Sequence, residues 1–211
     1  MRKTALLAAV LAALPLAALA QTNTAVTSYE FQRLAIDGER VETQGLRYDM
    51  SGHYASGIQF DGALRAGEAD GIAVRLASFD LRYMWNGAIG PQAGYEHARV
   101  GDLTAERITV GLAAAHDLDV VTTFSAALVS DVDAFGDDVT ASLNAERKVG
   151  NGFTVYSGLR LDRVEGMIGG SASVGSRYGL GRGVFLDGRA EYERVNGDSR
   201  QAIAVGVGFS F

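Results

Sequence analysis

From about residue 26 to the end of the chain, apolar residues alternate with polar or very small ones. The last stretch, "QAIAVGVGFSF" from Gln201 to Phe211, is the clearest case. Parity puts Ile203, Val205, Val207, Phe209 and Phe211 on one face and Ala202, Ala204, Gly206, Gly208 and Ser210 on the other. That period of two belongs to a β-strand, not a helix. Similar segments of roughly ten residues predict strands over 26–36, 41–51, 54–65, 73–85, 88–99, 106–115, 119–130, 138–148, 153–163, 167–178, 184–194 and 201–211, twelve in all, with ten the nearest alternative.

The connections between these segments are of two kinds that take turns. One series is short and rich in Gly or Asn: "SGH" at Ser51 to His53, "NG" at Asn86-Gly87, "HDLD" at His116 to Asp119, "GNG" from Gly150 and "GLGRG" from Gly179. Such residues supply the positive φ angles of tight hairpins. The other series, "DGER", "AGEADG", "VGDLTAE", "DVDAFGDD", "VEG" and "VNGDSR", reads as longer and more acidic. An even number of antiparallel strands, with short turns at the periplasmic end and longer loops at the extracellular end, is the layout of a single closed transmembrane β-barrel. Length agrees: eleven residues at about 3.3 Å each, tilted near 40°, rise about 28 Å, enough for the apolar band of an outer membrane.

Alternation alone leaves open whether the apolar face meets a protein core or lipid. The opposite face is more informative. Asp187, Arg189 and Glu191 share a face, and a turn centred on Gly197-Asp198 sets them against Gly208, Gly206 and Ala204, with Gly175, Ser173 and Ser171 on the other side. Long charged side chains flanked by tiny ones suit the confined space inside a tube. Read this way, the lumen is lined by Asp61, Arg65, Arg82, Glu96, Arg160, Asp162, Arg177, Asp187, Arg189 and Glu191. The apolar face carries Tyr48, Tyr54, Tyr83, Trp85, Phe153, Tyr178 and Phe209 beside the short turns, as an interfacial girdle of aromatic rings would.

Composition narrows the setting. Residues 1–20, "MRKTALLAAVLAALPLAALA", have the basic start, short apolar run and small-residue finish of a cleaved secretory signal peptide, leaving 21–211 as one barrel domain. Without Arg2 and Lys3 the chain has 17 basic residues against 25 acidic, a formal charge of −8. No basic patch marks a nucleic-acid partner. The absence of cysteine excludes disulfides and thiol-ligated metals.

With these features together, the chain resembles the bacterial outer-membrane β-barrel superfamily. The likeness rests on the signal peptide, the alternating strands and the terminal "VGVGFSF". It implies that Phe211 is the terminal aromatic presented to the barrel assembly machinery and that outer-membrane lipid and lipopolysaccharide surround the wall. It further implies closure of the last strand on the first, because an open edge in hydrocarbon leaves amides unpaired. Unlike general porins, which are longer and fold a long loop inward, this chain has no such loop.

Some outer-membrane barrels are enzymes, whose catalytic residues have characteristic spacings on the strands. Barrel phospholipases and deacylases place His and Ser two apart on one strand; neither His53, His97 nor His116 has that Ser, and the Asp–His spacing of omptin-like proteases is absent. His97 falls on a strand, His53 and His116 in turns. No metal site or cofactor is indicated; the one weak candidate is the loop holding Asp131, Asp133, Asp137 and Asp138, which lacks the spacing of a calcium loop. The expected function is a small porin-like channel for passive diffusion of small hydrophilic solutes. The alternatives are a non-conducting structural or adhesin-type barrel acting through its loops, and an exported soluble lipocalin-like binder.

Overall fold

A computed structural model describes residues 22 to 211 apart from 37, 38, 55, 70, 120, 165 and 196, so the signal peptide expected over 1–20 lies outside the described residues. The chain forms twelve strands: β1 (Thr22–Ile36), β2 (Glu39–His53), β3 (Ile58–Ala69), β4 (Ile72–Tyr83), β5 (Ile89–Val100), β6 (Leu103–Asp119), β7 (Thr122–Asp131), β8 (Val139–Lys148), β9 (Phe153–Val164), β10 (Met167–Gly181), β11 (Val184–Val195) and β12 (Asp198–Ser210). Each pairs antiparallel with its sequence neighbours, and β12 pairs with β1, closing the barrel. At the seam the Asn23 amide donates to the Phe211 carbonyl (3.0 Å) and the Phe211 amide donates to Asn23 (3.1 Å), so the ladder runs to the last residue. We call the end carrying Asn23 and Phe211 the terminal rim and the opposite end the distal rim.

The two faces of the wall differ as the alternation requires. On β12, Ile203 and Val205 are 60% and 65% exposed while Ala202 and Ala204 are 5% and 7% exposed. No large side chain is fully buried among the described residues, and Leu, Ile, Val and aromatic side chains are exposed all around the outside. This is a wall turned inside out relative to a soluble barrel, whose apolar residues fill the interior.

Connection lengths depart from the sequence reading. At the distal rim, five of the six connections occupy two residues, and 132–138 alone is longer. At the terminal rim they occupy two to five residues. Apart from 132–138, the acidic segments read as loops are strand ends whose ladders continue to a tight turn: Val195 pairs with Asp198 across a two-residue connection with Gly197 at φ 102, and Val100 pairs with Leu103 beside Gly101 at φ 57. Glycine at positive φ is what such a turn needs, and polar side chains near it do not end the strand. His53 and His116 likewise lie in β2 and β6, not in turns; a register shift between Asp117 and Asp119 lets β6 run on past His116.

Candidate functional site

The interior of the barrel is the candidate site. Its identity as an interior follows from contacts between strands that are not neighbours in the wall. Arg65 on β3 approaches Glu191 on β11 at 4.0 Å, although β2, β1 and β12 stand between them. Arg160 on β9 approaches Glu96 on β5 at 3.8 Å, with β8, β7 and β6 between. Four strand spacings are about 19 Å along the wall, so these pairs can meet only by crossing the enclosed space.

Around those chords the charged residues gather in groups. Glu191 accepts from Arg200 and from Arg189 (3.2 Å), and Arg200 also donates to Glu193 at 2.7 Å. Arg65 lies 3.7 Å from Glu30, and Arg47 forms a bidentate pair with Asp49, both bonds 2.6 Å, with Arg47 directly opposite Arg65 in the ladder. Arg160 donates to Asp162 (2.8 Å), which also accepts from Thr140 (2.6 Å). Nearer the terminal rim, Arg82 pairs with Asp61 at 2.8 Å and donates to Gln92, which donates to Asp80. Arg177 lies 3.5 Å from Asp187 and 4.5 Å from the Phe185 ring centre, while the Tyr156 hydroxyl donates to Asp187 at 2.9 Å. These are planar guanidinium contacts that lysine could not replace.

Small residues make this crowding possible. A Cβ on Gly175 would run into the Tyr156 ring, and one on Gly208 into the Phe185 ring. The two glycines are where inward-pointing rings lie flat against the neighbouring strand.

Asp61, Arg65, Arg82, Glu96, Arg160, Asp162, Arg177, Asp187, Arg189 and Glu191 all sit on this face of the ladder. Their partners differ from the sequence reading by one ladder pair. Asp187, Arg189 and Glu191 stand opposite Gly206, Ala204 and Ala202, not Gly208, Gly206 and Ala204, because the hairpin closes between Val195 and Asp198, not around Gly197-Asp198. On the other side they meet Arg177, Gly175 and Ser173, which is how Asp187 acquires a cation directly opposite. Sequence reasoning missed Glu30, Arg47, Asp49, Asp80, Gln92, Arg107, Tyr156, Glu193 and Arg200. Parity was the available signal: each shares a face with a neighbouring small or polar inward residue.

The acidic loop is organised by bonds within the protein. Asp131 ends β7 and accepts from Arg107 at 3.1 Å and from the Asp133 amide, while the Ser130 hydroxyl donates to the Asp138 carbonyl and accepts from the Gly136 amide. Asp133 and Asp137 are exposed. No cluster of three or more His, Cys, Asp or Glu is placed to hold a metal ion among the described residues.

Outside the wall, Tyr83, Trp85, Phe153, Tyr178 and Phe209 are exposed near the terminal rim, and Tyr83 meets Trp85 edge to face. Tyr54 instead packs on Phe60, which stacks on Phe79. Tyr48 lies nearer mid-wall, opposite Thr27 and Leu64. Tyr95 and Tyr192 are outward rings toward the distal rim. His97 also points outward, its Nδ1 3.4 Å from Glu106.

No family model matches the sequence, and no curated protein does. Solved structures do. The COG4313 outer membrane channel from Pseudomonas putida F1 superposes with a TM-score of 0.60 at 11% identity, over 90% of this chain and 95% of that one. The KdgM porin in complex with disordered oligogalacturonate gives 0.58 at 13% identity, over 88% and 99%. The chain has the fold of a bacterial outer-membrane β-barrel. A third such barrel, the CymD monoaromatic hydrocarbon channel, gives 0.50 at 10% identity, over 92% and 89%. These similar outer-membrane barrels are channels and porins, and the molecules named with two of them, oligogalacturonate and monoaromatic hydrocarbons, have little chemistry in common. The shared fold therefore carries no solute with it.

Proposed function

We propose that this protein is a small channel of the bacterial outer membrane for passive diffusion of small hydrophilic solutes. The observation supporting this reading is the inversion of the wall: charged and polar side chains meet across the interior, while Ile203, Val205 and their counterparts are exposed outside. Hydrocarbon is the solvent that suits such an exterior, and a closed ladder leaves it no unpaired edge. In this reading the signal peptide directs export, Phe211 is read by the barrel assembly machinery, and the aromatic rings of the terminal rim mark the periplasmic boundary.

The ten sequence-predicted charges, with Glu30, Arg47, Asp49, Arg107 and Arg200, then form the selecting surface. A twelve-strand barrel has a backbone diameter of roughly 24 Å, and its lining side chains reduce the passage to about 10 Å or less. Cations and carboxylates are interleaved, so discrimination is by size and local hydrogen bonding more than by ion sign. At the terminal rim a cavity of about 490 Å³, lined among others by Lys148, Thr154, Arg177 and Phe185, serves as the periplasmic mouth. Arg47 Nη1 and Arg107 Nη2 are buried within these charged groups without hydrogen-bond partners among the described residues.

The cross-lumen pairs favour a second reading, in which Arg160–Glu96 and Arg65–Glu191 plug a barrel that does not conduct. Planar-bilayer recording separates the two: stable unit steps from folded protein support the channel, and silence from protein shown to be folded by its heat-modifiable gel mobility supports the plug.

A further inference from the structure

Six of the seven arginines on the outward parity of the strands lie at one end of the wall, Arg147 alone lying at the other among the described residues. Arg33, Arg40, Arg75, Arg99, Arg163 and Arg194 are all exposed, on the outward parity of their strands, within three residues of the distal rim. Among them Arg75 and Arg99 stand directly opposite each other on β4 and β5.

Like charges opposed across a ladder are about 5 Å apart at Cβ and repel. Nothing in the described protein relieves them fully. Arg75 has no ion pair among the described residues, and Arg99 donates from Nε to the Gly101 carbonyl at 2.9 Å, its Nη2 lying 3.8 Å from the exposed carboxylate of Asp102. Glu106 is turned to His97, and Glu68, on the outward face of β3, pairs with neither arginine among the described residues. Two guanidinium forks side by side are a receptor for a tetrahedral dianion, since each can donate two parallel hydrogen bonds to phosphate oxygens.

Height fixes what kind of phosphate can arrive. Along β4, Arg75 lies eight residues from Tyr83 in the aromatic ring of the terminal rim, or about 20 Å of vertical rise at a tilt near 40°. The apolar band of such barrels is about 25 Å tall. Arg75 and Arg99 thus sit just below the far boundary, where a long side chain carries its charge up to the headgroups.

We propose that Arg75 and Arg99 form a site on the outer wall for the phosphate of a phosphorylated glycolipid of the outer leaflet, the lipid part of lipopolysaccharide. The site rests on the outer-membrane placement proposed above but not on conduction.

The test is binding of detergent-folded full-length mature barrel to bis-phosphorylated lipid A and to the same lipid after removal of its phosphates, read by native mass spectrometry or microscale thermophoresis. The proposal expects Arg75→Gln/Arg99→Gln to lower affinity for the phosphorylated lipid at least tenfold, Arg147→Gln at the other end of the outer wall to leave it unchanged, and the dephosphorylated lipid to bind all three proteins equally weakly. Unchanged affinity of the double variant, or equal retention of both lipids by the unsubstituted protein, overturns it. Heat-modifiable mobility of each variant shows that the barrel is folded. A conducting barrel that fails this test leaves the channel reading standing, and a silent barrel that passes it leaves the lipid site standing.

Discussion

Two arcs of the wall bound the same interior and are built of opposite materials. From β6 to β8 the inward positions between the Arg107–Asp131 pair and Glu146 are small and neutral: Thr109, Gly111, Ala113 and Ala115, then Ser125, Ala127 and Val129, then Thr140, Ser142 and Asn144. From β9 round through β12 to β4 they carry the arginines and carboxylates, with Tyr156 and Phe185 among them. Both arcs are paired strand to strand, each with one register shift near the terminal rim, so the closure of the wall does not depend on what lines the lumen. Hydrogen bonding of the strands closes the wall in both arcs, while the lining sets passage and, on the charged arc, also adds to stability through its ion pairs. On the charged arc small residues are occupied from above, as Gly175 is by Tyr156; on β7, Ala127 faces Ala113 and Ser142.

This contrast can be attacked from either side. The largest effect is expected from Glu191→Gln, which removes the carboxylate that Arg65, Arg189 and Arg200 converge on. Leaving Arg189 with no ion-pair partner among the described residues, and Arg65 and Arg200 with only Glu30 and Glu193, should lower stability by about 3 kcal/mol, measured by urea unfolding in detergent, and shift the reversal potential toward anions. Gly175→Val comes next: its side chain collides with the Tyr156 ring and should cost about 2 kcal/mol by the same assay. Ala127→Lys probes the opposite arc and should change stability by less than about 1 kcal/mol while making the channel more anion-selective in a salt gradient. If it destabilises as much as Glu191→Gln, the β6–β8 arc is a packed filling and the contrast fails. The smallest effect belongs to Arg33→Gln on the outside, where the 2.9 Å pair with Glu42 is exposed, and unfolding should move by less than about 1 kcal/mol.

How much of this was legible in the sequence depends on what period two can encode. It fixes which face a residue takes, so the ten lumen charges, the outward Ile and Val rows and the number of strands could be read from alternation. It does not fix which residue stands opposite which, since sliding a hairpin by one ladder pair leaves every face unchanged. That is why alternation alone can set Asp187 against Gly175 when Arg177 is its neighbour, and why it does not reveal the Arg177–Asp187 ion pair. The acidic stretches near the distal rim read as loops because Asp, Glu and Gly punctuate turns, yet a two-residue turn uses only the innermost of them. Chords such as Arg160–Glu96 are set by the curvature of a closed wall, which no local pattern records.

The hydrogen-bonded meeting of Asn23 with Phe211 has a topological consequence. The described chain is a ring cut at one hairpin, and its two cut ends lie side by side. A short linker joining them, with a fresh cut in the 132–138 connection, would renumber the strands without altering any neighbour relation, giving a circular permutant with the same wall in a different order of synthesis.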